Sequence, residues 1–187
     1  MRRNLPLILA GFAVGGVVIA FYEMKDHRAP DVPFVTTPPD VVEAMLELAD
    51  VRNEDVVYDL GCGDGRMVIA AARRHGCRGL GVDIDPQRVA ESRANARAAG
   101  VQDLVTFRHK DIFDLDLSDA SVVLMFLTPD VNRRLVSQLE RMKPGSRIVS
   151  HQFSIPGVKP RQVIRVPSKD DRLDHPVYLW VTPLERE

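Results

Sequence analysis

The apolar and polar positions of this 187-residue chain change period repeatedly, and each change marks an element. Val56-Val57-Tyr58 is a short apolar, β-branched run of the kind a buried strand carries. It breaks into three glycines at alternate positions, Gly61, Gly63 and Gly65. From Arg66 the pattern turns helical through Met67-Val68-Ile69-Ala70-Ala71-Ala72 and stops at Gly76. A second strand follows at 79–83, completing a βαβ unit with Asp83 at its end. Asp85-Pro86 opens a helix that ends at Gly100, and 104–107 reads as a third strand. Residues 121–127 are almost wholly apolar and belong in the buried centre of a sheet. A helix with Val131, Leu135, Leu139 and Met142 at core spacing ends at Lys143-Pro144-Gly145. Strands are predicted at 147–150, 162–166 and 177–182. Upstream, a helix over 38–49 puts Val41, Met45 and Leu48 on one face, with Thr37 as candidate N-cap and Pro38 at the first helical position. The pattern predicts one α/β domain, a doubly wound, mostly parallel, Rossmann-like sheet of seven strands whose last strand is antiparallel.

The glycine spacing narrows the ligand. A dinucleotide fold wants G-x-G-x-x-G, so that a helix N-terminus can approach a pyrophosphate. Here Arg66 stands where the last glycine would be, and the loop reads G-x-G-x-G after Asp59. This resembles motif I of the Rossmann-like methyltransferases that use S-adenosylmethionine, which carries no phosphate. An acidic residue at the end of the second strand, Asp83, is placed to accept from ribose hydroxyls. Asp111 follows the third strand, where it could accept from the adenine amino group while Ile112 or Phe113 covers the ring.

Composition removes several partners. The net charge of −1 with 27% charged residues gives no basic excess for nucleic acid, and Arg88, Arg93 and Arg97 read as a solvated helix face. Cys62 and Cys77 do not make a disulfide framework, and the five histidines are scattered without ligand spacing, so no metal is expected. His151, just past a strand's carboxyl end, suits either a functional role or a plain hydrogen-bonded one.

The N-terminal pattern differs. Residues 5–22 are an uncharged run of 18, which as a helix would span roughly 27 Å, enough for a bilayer's hydrocarbon. A cleaved signal peptide would export a domain whose cofactor is kept inside cells, so a single-pass anchor is expected, with residues 1–31 as anchor and linker and 32–187 as the catalytic domain. Arg2 and Arg3 against Lys25 and Arg28 nearly tie on topology, and the cofactor breaks the tie in favour of a cytoplasmic domain. Gly11 and Gly15 have the spacing of close-packing membrane helices, a weak signal for a helix-mediated dimer.

Three stretches together carry a narrower resemblance: Val-Pro-Phe-Val-Thr-Thr-Pro at 32–38, Val-Tyr-Asp-Leu-Gly-Cys-Gly-Asp-Gly-Arg at 57–66, and Ser-His-Gln-Phe at 150–153. In combination they resemble the small archaeal protein-lysine methyltransferases of broad specificity. They also resemble the membrane-anchored mitochondrial relatives that modify the ATP synthase c subunit and the adenine nucleotide translocase. The likeness runs from about residue 32 to 184, with Thr36 where the family usually has a second proline. It implies cofactor contacts from Asp59, Gly61, Gly63, Gly65, Asp83 and Asp111. It also implies that Phe34 and Thr37, with Thr128 and Asn132 after the fourth strand, face the methyl group and an incoming lysine. An alternative reading has Thr128 capping the following helix and Asn132 polarising its first turn. The implied activity is methylation of lysines on proteins, membrane proteins in particular. Rival readings are a membrane-associated enzyme acting on a lipid head group or quinone, and a non-catalytic S-adenosylmethionine binder. Phe126-Leu127-Thr128-Pro129 is not the Asn/Asp-Pro-Pro-aromatic turn used on flat exocyclic amines of nucleic acids.

Overall fold

The computed structural model describes residues 35–187. The elements run α1 (Pro39–Leu48), β1 (Val56–Leu60), α2 (Arg66–His75), β2 (Arg78–Asp83), α3 (Pro86–Ala98), β3 (Val105–His109), a 3-10 turn (Ile112–Asp114), β4 (Val122–Met125), α4 (Pro129–Leu139), β5 (Arg147–His151), β6 (Gln162–Pro167) and β7 (Asp174–Val181). The strands form one seven-stranded sheet in the order β3-β2-β1-β4-β5-β7-β6. β1 to β5 pair in parallel, and β7 runs antiparallel to both β5 and β6.

Burial follows the two-residue period of a sheet covered on both faces. On β4, Val122 and Leu124 join the cluster that contains α1, α2 and α3, while Val123 and Met125 join the cluster that contains α4. All four are fully buried, which is why the stretch carries no polar alternation. A buried ion pair ties the bottom of the sheet to the chain ahead of it: Arg147 bonds Asp55 and donates to the carbonyls of Ala49 and Asp50. The order of strands reverses between β1 and β4, and in open α/β sheets ligands bind beyond the carboxyl ends of the strands at that point.

Several boundaries differ from the expectation. The predicted strand 121–127 is four residues long; Phe126 and Leu127 leave the ladder and wall a cleft instead. α1 begins one residue later than predicted: Pro38 is the N-cap, Pro39 follows it, and the Thr37 side chain is engaged elsewhere. Its buried residues are Val41, Val42, Met45 and Leu46, and Leu48 is only partly covered. β7 starts at Asp174 because it pairs with the full length of β6. Among the described residues no helix is long and apolar enough to cross a membrane. The expected anchor at 5–22, with Gly11 and Gly15, and the residue Phe34 lie outside the described residues.

Candidate active site

After β1 the chain turns through residues 61–65 into α2, and Gly61, Gly63 and Gly65 adopt φ of 77°, 53° and 81°. This is the left-handed region that side chains rarely enter. Gly65 is constrained twice, because a Cβ there would stand 2.7 Å from the Phe107 ring and 2.8 Å from Ser92 Cβ. The loop is held against β2 by the amides of Gly61 and Cys62, which both donate to the Val82 carbonyl at 2.9 Å. Asp83 completes the attachment: one carboxylate oxygen accepts from the Gly63 amide at 2.8 Å and the other from the Asp85 amide at 2.9 Å. The predicted ribose acceptor is thus also the clamp that sets the glycine loop's height.

Around this loop lies a cleft walled by the β1, β2 and β3 ends, by Val35–Thr37 and by Phe126, Leu127 and Val131. All the cofactor residues expected from the sequence except Gly65, which lies beneath the loop, line it: Asp59, Gly61, Gly63, Asp83 and Asp111. Its charge is one-sided, with Asp64, Asp83, Asp85 and Asp111 against Arg66 and Arg88. Asp59 is 2% exposed at the carboxyl end of the central strand β1, beside Gly81 of β2. Burial, reinforced by Asp83 and Asp64, pushes its pKa up to about 8. Burial also raises the Cys62 thiol, so that side chain is an inert packing group. Asp64 behaves differently. Burial works to raise its pKa, but the Arg66 fork outweighs it and holds the carboxyl low, with contacts of 2.6 and 3.0 Å.

Such a cleft repels a pyrophosphate and suits a cofactor whose net charge is positive. S-adenosylmethionine, with its sulfonium and amino groups, fits that requirement, and glycine amides in place of side chains leave room for its backbone-like tail. At the far end Ile112 and Phe113 line the cleft, and Asp111 caps their 3-10 turn by accepting from the Phe113 amide at 3.0 Å. An Arg134 guanidinium stands 3.6 Å from the centroid of the Phe113 ring and fixes its pose.

A second cleft opens beside the first and shares Val35, Thr36, Phe126 and Leu127 with it. Its other walls are Thr128, His151, Gln152, Phe153, Asp171, Leu173 and His175. Thr37 therefore sits at the border, lining the first cleft while its hydroxyl bonds His151 of the second. Thr128 lines the second cleft and is the N-cap residue of α4, although its side chain makes no capping bond. Asn132 lines neither cleft. It is wholly buried, and its amide nitrogen donates to the carbonyls of Phe153 and Ser154, holding the loop after β5. That loop also needs Gln152 at φ 67°, and Ser150 Oγ donates to the Phe153 carbonyl at 2.6 Å.

Sequence reading missed four contributors. Arg66 was only the residue that broke a glycine pattern, yet its Nη1 donates to the Thr37 carbonyl at 2.8 Å and joins the two clefts. Arg88, assigned to a solvated face, lines the cofactor cleft beside Asp85. His175 and Asp171 reach the site only because β7 pairs antiparallel with β5, a relation no local spacing announces. Among the described residues no group of three or more His, Cys, Asp or Glu side chains is arranged to hold a metal ion.

Comparison with known proteins narrows the chemistry. The family described as the ANTKMT methyltransferase domain matches residues 59–162. A protein-lysine N-methyltransferase of Saccharolobus islandicus (strain REY15A) is 46% identical over 154 residues, covering 81% of this chain and 94% of its own. The adenine nucleotide translocase lysine N-methyltransferase of Mus musculus is 36% identical over 162 residues, covering 83% and 69%. A solved structure described as an RNA methyltransferase from Salinibacter ruber, in complex with S-adenosyl-L-homocysteine, is 47% identical with a TM-score of 0.74, covering 82% of this chain and 97% of that one. With the family match spanning more than half of the sequence and lysine-methylating relatives aligned across most of it, this chain belongs to the ANTKMT family of S-adenosylmethionine-dependent methyltransferases.

Proposed function

We propose that this protein transfers the methyl group of S-adenosylmethionine to the side-chain amine of lysines in proteins. The observation that carries the reading is the apolar second cleft opening directly onto the acidic cofactor cleft. S-adenosylmethionine supplies, when bound, an electrophilic methyl group on a sulfonium. Asp83 would hold the ribose, Asp111 with Ile112 and Phe113 the adenine, and Asp59 with the glycine amides the charged tail.

The target amine must be neutral to react, and from a pKa near 10.4 that costs about 4–5 kcal/mol at pH 7 in water. Val35, Phe126, Leu127, Phe153 and Leu173 give the second cleft walls that disfavour an ammonium and so lower the cost. The same walls exclude water and restrict the approach of the amine to the methyl group. A nucleobase target is the reading that the Salinibacter relative's description favours. Against it stands the acidic cofactor cleft, which would repel a phosphate backbone close to the reacting centre.

We further infer that residues 5–22 anchor the catalytic domain to a membrane on its cytoplasmic side, so that its substrates include membrane proteins. The uncharged run of 18 supports the anchor, and the cytoplasmic side rests on where the cofactor is kept, since the flanking charges nearly balance. A linker of about ten residues would keep the site within a few tens of ångströms of the bilayer and raise the effective concentration of embedded targets. The test is incubation of the full-length protein with labelled S-adenosylmethionine and membrane, soluble-protein, lipid and RNA fractions. Label in lysines, chiefly of membrane proteins, is the expected result. Label in RNA or lipid alone would overturn the lysine reading, and label confined to soluble proteins would overturn the anchor.

A further inference from the structure

Four side chains not used in the transfer just described stand in line between the two clefts and solvent. Thr37 Oγ1 lies 3.0 Å from His151 Nδ1. His151 Nε2 lies 2.9 Å from His175 Nδ1. His175 Nε2 lies 3.0 Å from both carboxylate oxygens of Asp171. Thr37 and His151 are each 1% exposed and His175 is 7% exposed, whereas Asp171 faces water. The row joins three distant parts of the chain: the segment before α1, the end of β5, and the hairpin of β6 and β7.

A row of this kind has a polarity, and its outer end sets it. Asp171 accepts from His175 and from the Leu173 amide at 2.9 Å, and these bonds hold its carboxyl below the usual range. An ionised carboxylate only accepts, so His175 Nε2 carries a proton. In a neutral ring His175 Nδ1 is then bare and accepts from His151 Nε2. His151 Nδ1 is bare in turn and accepts from the Thr37 hydroxyl. Burial, with His175 adding to it and Asp171 opposing it, pushes the His151 pKa down to about 4, so this ring stays neutral.

We propose that this row fixes the Thr37 hydroxyl as a hydrogen-bond acceptor toward the incoming lysine amine, aiming the amine's lone pair at the methyl group. Thr37 is then a catalytic residue, and His151, His175 and Asp171 are positioning residues that act through it. The inference rests on the lysine reading given above. A neutral amine has two N–H groups and one lone pair, and only the lone pair attacks. An acceptor beside the amine engages an N–H and leaves the lone pair free. A donor in the same place would bind the lone pair and quench it. A free hydroxyl does both; one whose proton is committed to His151 does only the first. Arg66 adds position to polarity, because one guanidinium bonds both the Thr37 carbonyl and Asp64 of the glycine loop. The tautomer of a ring set by a carboxylate behind it is the logic of hydrolytic triads, applied here to a hydroxyl that accepts rather than attacks.

The test uses the full chain and an unstructured lysine-containing peptide as probe. Nitrogen-15 spectra of the histidine rings should show both His151 and His175 as Nε2–H tautomers with bare Nδ1. Thr37→Val should lower kcat by about 100-fold, with cofactor Kd by calorimetry nearly unchanged and the melting temperature lowered only by the few degrees that one lost buried hydrogen bond takes. Thr37→Ser should restore most of kcat, which a purely space-filling role would not require. Asp171→Ala should lower kcat by about tenfold at constant KM for the peptide and disturb the His175 tautomer. Either ring found as the Nδ1–H tautomer, or full kcat in Thr37→Val while the parent protein labels lysine, overturns the acceptor role alone. A parent protein that labels no lysine overturns the lysine reading and this inference with it.

Discussion

Replacing Asp59 by asparagine separates what that carboxylate costs the empty fold from what it contributes to the cofactor. The group is buried at the end of the central strand, and its pKa of about 8 in the folded chain stands against 3.8 for an unperturbed one. Because the folded value is raised, the neutral form's stabilising contribution is complete below 3.8 and is lost as pH rises through about 8. At pH 7.5 the gap corresponds to a penalty on the order of 5 kcal/mol at most, with Asp83 and Asp64 responsible for part of it. Asparagine has the same shape and no charge to neutralise, so Asp59→Asn should raise the melting temperature of the cofactor-free protein at pH 7.5, by about 5–10 °C if half the penalty is recovered. The gain should shrink steadily toward pH 4. A cationic cofactor reverses the balance by drawing the carboxyl back to its ionised form, so binding near pH 7 should release a proton. Calorimetry in two buffers of different ionisation enthalpy measures that proton directly, and Asp59→Asn should abolish it while weakening cofactor binding. A substituted protein less stable than the parent at pH 8, or a binding enthalpy independent of buffer near pH 7, would refute the argument.

Asp83→Ala should weaken S-adenosylmethionine binding by at least tenfold in calorimetry, since a charge-assisted hydrogen bond is worth about 1.5–3 kcal/mol. It should also loosen the loop amides of Gly63 and Asp85 that the carboxylate holds, seen as faster amide exchange there. Gly65→Ala and Gly145→Ala both place a side chain at positive φ, but only the first drives a Cβ into Phe107 and Ser92. Denaturant melts should therefore show about 1 kcal/mol lost at Gly145 and several at Gly65; equal losses would remove packing from the explanation of that glycine. Arg147→Met should cost about 1.5–3 kcal/mol, the worth of a charge-assisted hydrogen bond, because Ser121 and the Arg52 amide still hold Asp55. Burial works to raise the Asp55 pKa, but Ser121, the Arg52 amide and Arg147 together hold it low. Its stabilising contribution is present above the unfolded value and lost as pH falls through the folded one, so the difference between Arg147→Met and the parent should narrow in acid.

The elements were legible wherever their cause is local. Periodicity and glycine alone located β1, the loop, α2 and β2 to within two residues, and a βαβ unit with an acid at Asp83 needs nothing from the rest of the chain. Errors arose where apolar character has two causes. Phe126 and Leu127 are as apolar as β4 itself, but they line a cleft, and hydropathy does not tell a core wall from a site wall. Thr37 has the composition of a helix cap and is instead drawn to a histidine 114 positions away. The resemblance implied that Asn132 faces the methyl group, whereas in the structure it lines neither cleft and the backbone of residues 153 and 154 claims its amide. Thr37 and Asn132 find their partners in segments far along the chain, which local spacing does not encode.

The place of β7 has a consequence for how the molecule is assembled. This strand is made after β6 but lies inside the sheet, between β5 and β6, and among the described residues β6 pairs with no other strand. A nascent chain that has emerged as far as β5 already holds the whole glycine loop and the five parallel strands around it. It lacks His175 and Asp171, and so one wall of the second cleft. On the ribosome the cofactor half can therefore close first, and β6 must wait for the strand that follows it. A partly synthesised chain has the residues that hold a methyl donor, but it has no finished place to receive an amine.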